Sequence, residues 1–215
     1  MIKARVYIIQ MRLLMLSYKE QIEFDWWKRN FDTFSNPCQR VYLRYCSYFN
    51  LSKDTFKDKS IVDIGCGPQG SLHFFNAKLK IGIDPLAWSY KEFNIKQHDI
   101  QYISSRSENI PLKSSSIDGV ISVNSLDHVD NLENTLNEII RILKSNGEIY
   151  LQLNLAETPT IYEPIIIKEK EIEEFLKRYF IIKEKKRIEK GSSISLNEEI
   201  VVYTYNRLIL YGIKR

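Results

Sequence analysis

The chain has 215 residues, of which 44% are hydrophobic, 27% charged and 12% aromatic, a composition that excludes disordered and fibrous proteins. Its formal net charge of +4 is too small to indicate a nucleic acid partner. The three cysteines are odd in number and lack paired spacing, which argues against a disulfide framework and a zinc site. The apolar stretch at residues 6–16 is too short to span a bilayer, so we expect no membrane anchor. The length of the chain suits one α/β domain, which we expect in the cytoplasm.

The first predicted elements are two helices rich in aromatic residues. Hydrophobic residues recur at helical spacing around Trp26 and Trp27, and again over residues 41–49. We expect residues 1–56 to form an N-terminal helical cap and residues 57–215 to form the main domain. An aromatic helix is most often core, but Trp26 or Trp27 could instead cover a pocket and contact its substrate.

From residue 60 onward, short apolar runs alternate with helical patterns. The runs predict strands at residues 61–64, 80–84, 100–104, 119–123, 148–155, 180–188 and 200–213. Helical segments between successive strands imply right-handed βαβ crossovers and a parallel sheet. The turn signal Gly191-Ser192-Ser193 before the last run predicts a hairpin that ends the sheet with an antiparallel strand. The predicted fold class is therefore α/β, with a doubly wound, Rossmann-like, mostly parallel seven-stranded sheet.

Two further segments have a clear structural interpretation. Leu136, Ile139 and Leu143 lie on one face of a predicted helix that begins near Asp130 and covers the sheet. The charged run Lys183–Lys190 is typical of a solvated edge strand, because charge protects an edge from pairing with another chain.

A glycine-rich loop follows the first predicted strand. Gly65, Gly67 and Gly70 match the spacing of the dinucleotide fingerprint, and Asp84 follows at the end of the second strand, where an acid can bind ribose hydroxyls. This spacing leaves a nicotinamide-dependent oxidoreductase open as an alternative. Asp63 stands where a dinucleotide-binding strand normally keeps an apolar residue, and an acid at that position suits a ligand with an ammonium group.

The segment Asp63–Pro68 resembles the first motif of class I S-adenosylmethionine-dependent methyltransferases. Other stretches resemble later motifs of that family in the same order: Ile81–Asp84, Ser107–Leu112, Asp118–Val129 and Ile139–Gly147. Gln69 stands where the family usually has a third close glycine, and Arg106 where many members carry an acid that binds the adenine amino group. These departures leave open a non-catalytic binding protein that kept the fold.

The resemblance implies a cofactor site at the ends of the first, second and fourth strands. Its residues are Asp63, Gly65, Cys66, Gly67, Asp84, Pro85, Leu86, Ser107, Glu108 and Asn124. Asp63 and the glycine backbone would hold the methionine part, Asp84 the ribose hydroxyls and Leu86 one face of the adenine. From the residues alone, Asp63 could instead cap nearby amides, Leu86 could be ordinary core and Glu108 could be a surface residue.

His128 is the candidate catalytic residue, because it lies in the loop after the fourth strand and an oxygen acceptor needs a general base. Alternatively, its side chain bonds the backbone at the start of the next helix.

Tyr162 is expected to contact the substrate together with Trp26 and Trp27. We expect no metal, because the acid pair of catechol-type enzymes is not apparent after the fourth and fifth strands. We therefore expect a small-molecule acceptor of unspecified identity, and neither a nucleic acid nor a membrane partner. The oligomeric state stays open.

Overall fold

In the computed structural model of the protein, the described residues are 16–31, 37–93, 95, 98–161, 163–196 and 199–215. The α-helices among them are α1 (Tyr18–Asn30), α2 (Pro37–Phe49), α3 (Leu132–Ile142) and α4 (Glu169–Lys177), and a 3₁₀-helix covers Ser89–Phe93. The strands among them are β1 (Ser60–Ile64), β2 (Leu79–Ile83), β3 (Gln101–Ile103), β4 (Ile117–Val123), β5 (Leu143–Leu155), β6 (Phe180–Ile188), β7 (Ser193–Leu196), β8 (Glu199–Val202) and β9 (Asn206–Lys214).

Seven of these strands form one sheet in the order β3-β2-β1-β4-β5-β9-β6. The neighbours from β3 to β5 run parallel, and β9 runs antiparallel to both β5 and β6. The predicted α/β class and mostly parallel seven-stranded sheet are confirmed. The predicted antiparallel terminal strand is confirmed as β9, the last strand in the chain, which lies between β5 and β6 and pairs with both.

The charged edge strand is confirmed as β6, which lies at one end of the sheet. Its Lys185 pairs with Glu169 and Glu173 of α4, so the edge carries ion pairs that discourage pairing with another chain. The single strand predicted over residues 200–213 is two strands, since β8 pairs with β7 in a separate hairpin before β9 begins.

The connection between β1 and β2 lacks the helix that alternation of strands and helices predicts. Residues 65–78 form a series of turns instead. Gly67 and Gly70 have φ angles of 58° and 68°, which lie outside the right-handed helical region, and Pro68 lies between them. Because the turns are tight, the chain keeps bare backbone at the end of β1.

Helices cover both faces of the sheet with different kinds of side chain. On one face, aliphatic residues of α3 such as Ile139 and Ile142 are fully buried against the central strands. On the other, α2 contributes aromatic rings, and Phe49 packs edge-on against Tyr150 of β5 with ring centroids 5.5 Å apart. Among the described residues, the helices are too short and too polar to cross a membrane.

Candidate active site

The carboxyl ends of β1, β2 and β4 open into a cavity of about 730 Å³. In sheets of this type ligands bind outside the carboxyl ends of parallel strands, and this volume is in the usual range for a small-molecule site. Three loops from the sheet form its floor, at Gly65–Gly67, at Asp84 and Pro85, and at Asn124 and Ser125. Residues of α1 and α2 form the opposite wall.

The glycine loop presents its backbone closely to the surrounding elements. Gly65 has a φ of 67°, and a Cβ atom built on it would overlap the side chain of Ser125. A Cβ on Gly67 would lie 3.0 Å from Cζ2 of Trp27. The Trp27 indole therefore lies against the loop, and α1 crosses the cavity directly above the end of β1.

Asp84 lines the cavity and is tied to the protein by three hydrogen bonds. Its Oδ2 accepts from the Gly67 amide at 3.1 Å, and its Oδ1 accepts from the Leu86 amide at 2.9 Å and the Tyr90 hydroxyl at 3.0 Å. Burial raises the pKa of this carboxyl group. A carboxylate offers about four acceptor positions, so Asp84 retains capacity for a hydroxyl group of a ligand.

Asp63 lies beneath the glycine loop and not on the cavity wall. Its Oδ2 accepts hydrogen bonds from the Tyr45 hydroxyl of α2 at 3.0 Å and from the Ser71 hydroxyl. Its Oδ1 has no hydrogen-bond partner among the described residues, and the side chain is fully buried. Burial raises the pKa of Asp63 to about 7. The carboxyl group links α2 to the loop and leaves one oxygen under it without a donor.

The structure places the other predicted cofactor residues in two groups. Those that line the cavity are Cys66, Pro85, Ser107, Glu108 and Asn124. Leu86 does not, because it is buried in a separate cluster with Phe24 and Tyr90.

Three of these cavity-lining residues form side-chain hydrogen bonds with the protein, and that of Ser107 joins its hydroxyl to the Thr135 hydroxyl at 3.1 Å. The Glu108 carboxylate accepts hydrogen bonds from the amides of Asp130 and Asn131 at 2.8 and 3.0 Å, so it caps the start of α3. Asn124, with a φ of 55°, accepts from the side chain of Asn154.

Arg106, the residue that departs from the family pattern, holds α1 in place. Its guanidinium donates to Glu20 of α1 at 3.0 Å and to Asp130 at 2.6 Å. Lys19 of α1 also pairs with Asp130 and donates to the His128 carbonyl at 2.8 Å. We refer to Lys19, Glu20, Arg106 and Asp130 as the α1 clamp. It joins the covering helix to the loops that follow β3 and β4.

His128 lies on the cavity wall next to two acids. Its Nε2 is 3.8 Å from Oε1 of Glu163 and 4.0 Å from Oδ1 of Asp127. Neither ring nitrogen forms a hydrogen bond within the described part of the chain. The alternative role, in which the His128 side chain bonds the backbone at the start of the next helix, is therefore not seen in the described residues. The His128 amide, not its side chain, donates to the Ser125 carbonyl at 3.1 Å.

The covering helices contribute residues that the sequence pattern missed. Glu23 of α1 lines the cavity, and burial, with Asp84 adding, raises its pKa to about 7. Arg44 of α2 also lines it, and its Nε has no partner among the described residues. The predicted substrate-contact residues Trp26 and Trp27 also line the cavity, Trp26 with 45% of its surface exposed. Glu23 lies one helical turn before Trp27, and this spacing is the signal by which the sequence could have indicated Glu23. The predicted substrate residue Tyr162 lies outside the described residues.

Comparison with known proteins agrees with this architecture. A chain from the complex between the Haloferax volcanii Trm112 methyltransferase activator and a methyltransferase has a TM-score of 0.66 at 18% identity, over 89% of this chain and 95% of that one. A Thermotoga maritima SAM-dependent methyltransferase, described as a possible histamine N-methyltransferase, has a TM-score of 0.61 at 18% identity, over 89% and 98%. The Bacillus subtilis YcgJ protein has a TM-score of 0.60 at 14% identity, over 82% and 98%.

At these identities the likenesses to solved structures show a shared fold. No curated protein matches the chain in sequence. Residues 62–151, from β1 to the middle of β5, match the family described as "Methyltransferase domain". Over those residues, which include the glycine loop and Asp84, the chain is therefore similar to a methyltransferase domain.

Proposed function

We propose that this protein transfers a methyl group from S-adenosylmethionine to a small molecule, most simply at an oxygen atom. One observation carries the proposal. A single cavity has the glycine loop and Asp84 on one wall and the unpaired His128 ring on another. The two walls provide separate places for a cofactor and for an acceptor. Cofactor and acceptor can therefore meet within the cavity.

The residues on the cofactor wall fit S-adenosylmethionine, which supplies an electrophilic methyl group when it is bound. Asp84 has acceptor capacity for a ribose hydroxyl. Two acids outside this wall, Asp63 beneath the glycine loop and Glu23 on the covering helix α1, favour the positive ammonium and sulfonium groups. The unpaired Nε of Arg44 fits the carboxylate of the methionine part. Buried polar groups that lack a protein partner are thus matched by opposite groups on the cofactor.

On the acceptor wall we assign His128 to the activation of the acceptor. Its ring nitrogens are unpaired among the described residues, which leaves them available to an incoming group. Trp26 and Trp27 supply apolar surface on the covering helix, and Tyr162 keeps its predicted role in substrate contact. Alignment of the reacting atoms in a cavity that excludes water can supply several kcal/mol of the rate acceleration. We also propose that residues 1–56 act as the cap of the 57–215 domain, since α1 and α2 cover the cavity.

Isothermal titration calorimetry tests cofactor binding directly. The demethylated product, S-adenosylhomocysteine, should bind the wild-type protein, and Asp84→Asn should weaken binding about tenfold, as expected for loss of a charge-assisted hydrogen bond. Asp25→Asn, which changes an exposed acid on α1, is the matched control and should bind normally. Absence of binding at millimolar ligand would refute the proposal, and binding of NADH instead would favour the oxidoreductase.

Incubation with radiolabelled S-adenosylmethionine and fractionated small-molecule extracts tests the transfer itself. Label should move into an extract component, and His128→Gln should reduce this transfer more than it weakens cofactor binding. If the cofactor binds and no component is ever labelled, the protein is a non-catalytic binding protein.

A further inference from the structure

We propose that Asp127, His128 and Glu163 bind a divalent transition-metal cation of the Mn²⁺ type at the acceptor end of the cavity. Each residue offers one ligand atom, and the three atoms lie within 4.8 Å of one another. Asp127 and His128 follow β4, whereas Glu163 lies in the segment after β5. The adjacent parallel strands bring these segments to the same edge of the sheet.

The distances fit an ion between the side chains better than direct hydrogen bonds. His128 Nε2 lies 3.8 Å from Glu163 and 4.0 Å from Asp127, too far for either hydrogen bond. Ligand atoms bound about 2.0–2.2 Å from a common cation lie roughly 3–4 Å apart. A small inward movement of the three side chains would therefore complete the coordination.

Asp127 provides an independent observation. Only 2% of its surface is exposed, yet its Oδ1, the atom nearest to His128, has no hydrogen-bond partner within the described residues. A buried carboxylate oxygen without a partner is costly unless an opposite charge compensates it. A cation held with His128 and Glu163 would supply that charge.

A buried amide pair orients Asp127. Its second oxygen, Oδ2, accepts a hydrogen bond from Asn154 Nδ2 at 3.0 Å. Asn154 is itself 2% exposed, and its Oδ1 accepts from Gln152 Nε2 at 3.2 Å. Supporting hydrogen bonds of this kind hold the ligands of metal sites in position. They leave Oδ1 directed toward His128 and Glu163.

The composition of the cluster selects the class of cation. Two carboxylates carry two negative charges, which a divalent cation neutralises. Carboxylate ligands suit Mn²⁺, and imidazole suits first-row transition metals. Binding of the cation is independent of the proposed function; only its use, polarising an acceptor oxygen, depends on that function. His128 would then act as a ligand instead of a general base.

Electron paramagnetic resonance of Mn²⁺ tests the site in the full chain after removal of metals with a chelator. The wild-type protein should bind one equivalent, and Asp127→Asn and Glu163→Gln should each weaken binding at least about tenfold. Asp25→Asn, an exposed acid elsewhere, should not change it. Spin-echo modulation from a ligated nitrogen should be present in the wild-type complex and absent from His128→Gln.

The wild-type measurement decides the question even if a variant fails to fold, which circular dichroism would reveal. No bound Mn²⁺ at millimolar concentration, or a complex without nitrogen modulation, would overturn the proposal. A primary amine that binds at this cluster while Mn²⁺ does not would also overturn it, in favour of an ammonium-bearing acceptor. Calorimetry with S-adenosylhomocysteine in the presence of chelator reports separately on the proposed function.

Discussion

At the scale of single residues, three buried carboxyl groups lie on or near the cavity. Asp63, Asp84 and Glu23 all have a raised pKa, and burial is the largest cause for each. Each group would be stabilised in its charged form by a positively charged ligand. These groups are therefore consistent with the proposed binding of a positively charged cofactor.

Glu23 makes cofactor binding depend on pH. Burial raises its pKa to about 7, and the positive charges of the proposed cofactor would favour the ionised form, so we expect binding to release a proton from Glu23. We expect the affinity for S-adenosylmethionine to rise about tenfold from pH 6 to pH 8. Calorimetry in two buffers of different ionisation enthalpy measures the released proton. Glu23→Gln should flatten the profile, and an unchanged slope in this variant would exclude Glu23 as the source.

At the scale of elements, the strand-to-turn junction after β1 is the least tolerant point of the fold. Gly65 adopts a positive φ and leaves no room for a side chain beside Ser125. Gly191 also has a positive φ, of 86°, but a Cβ there would meet nothing within 4 Å. A comparison of the two positions therefore separates the cost of a positive φ from the cost of steric overlap.

Substitution of each glycine by alanine measures the difference in stability. Gly191→Ala should lower the free energy of unfolding by about 1–2 kcal/mol, the cost of the left-handed backbone alone. Gly65→Ala should lower it by an additional 1–3 kcal/mol or so, because the new methyl group overlaps Ser125. Urea denaturation of both variants gives the comparison. Equal losses would mean that the loop after β1 relaxes freely.

The α1 clamp is the second element-scale device. Arg106 joins Glu20 of α1 to Asp130, and these pairs are partly exposed. Arg106→Ala should therefore cost only about 0.2–1 kcal/mol in global stability for each pair lost. Hydrogen exchange of the α1 amides should accelerate locally, whereas exchange in β4 should not change. Unaltered exchange in α1 would show that the Lys19 contacts and the packing of Phe24 and Trp27 hold the helix without Arg106.

At the scale of the whole molecule, Asp63 links stability to pH. Its pKa is raised to about 7 from a usual 3.8, so the folded protein holds a proton that the unfolded chain releases. The resulting stability is complete below the unfolded pKa and is lost as pH rises through the folded pKa. Asp63 therefore lowers the free energy of unfolding by about 1.4 kcal/mol per pH unit between roughly pH 4 and 7.

Asp63→Asn tests this dependence because it keeps the shape of the side chain and removes the ionisable group. The stability of the variant relative to wild type should increase with pH up to about 7 and then become constant. Urea titrations at several pH values between 5 and 8 give the difference directly. A difference that does not vary with pH would mean that Asp63 is not the titrating group.

Much of the fold and one wall of the site could be predicted, because their signals are local. Strand β1, the loop at Gly65 and Gly67 and the acid Asp84 lie in consecutive motifs, and each motif also shapes its own backbone. Leu86 belongs to the same stretch but packs with Phe24 of α1, which no local pattern reveals. Glu23, Arg44 and Glu163 line the cavity from elements outside the motifs.

By itself, the sequence determined the alternation of strands and helices, the charged edge of β6 and the position of the cofactor loop. Hydrophobic periodicity and turn chemistry act over a few residues and are readable without contacts. Only the tertiary structure decided that β9 enters between β5 and β6, that α1 crosses the cavity, and that Asp127, His128 and Glu163 converge. These arrangements depend on packing between residues distant in the chain, which the spacing of residue types does not encode.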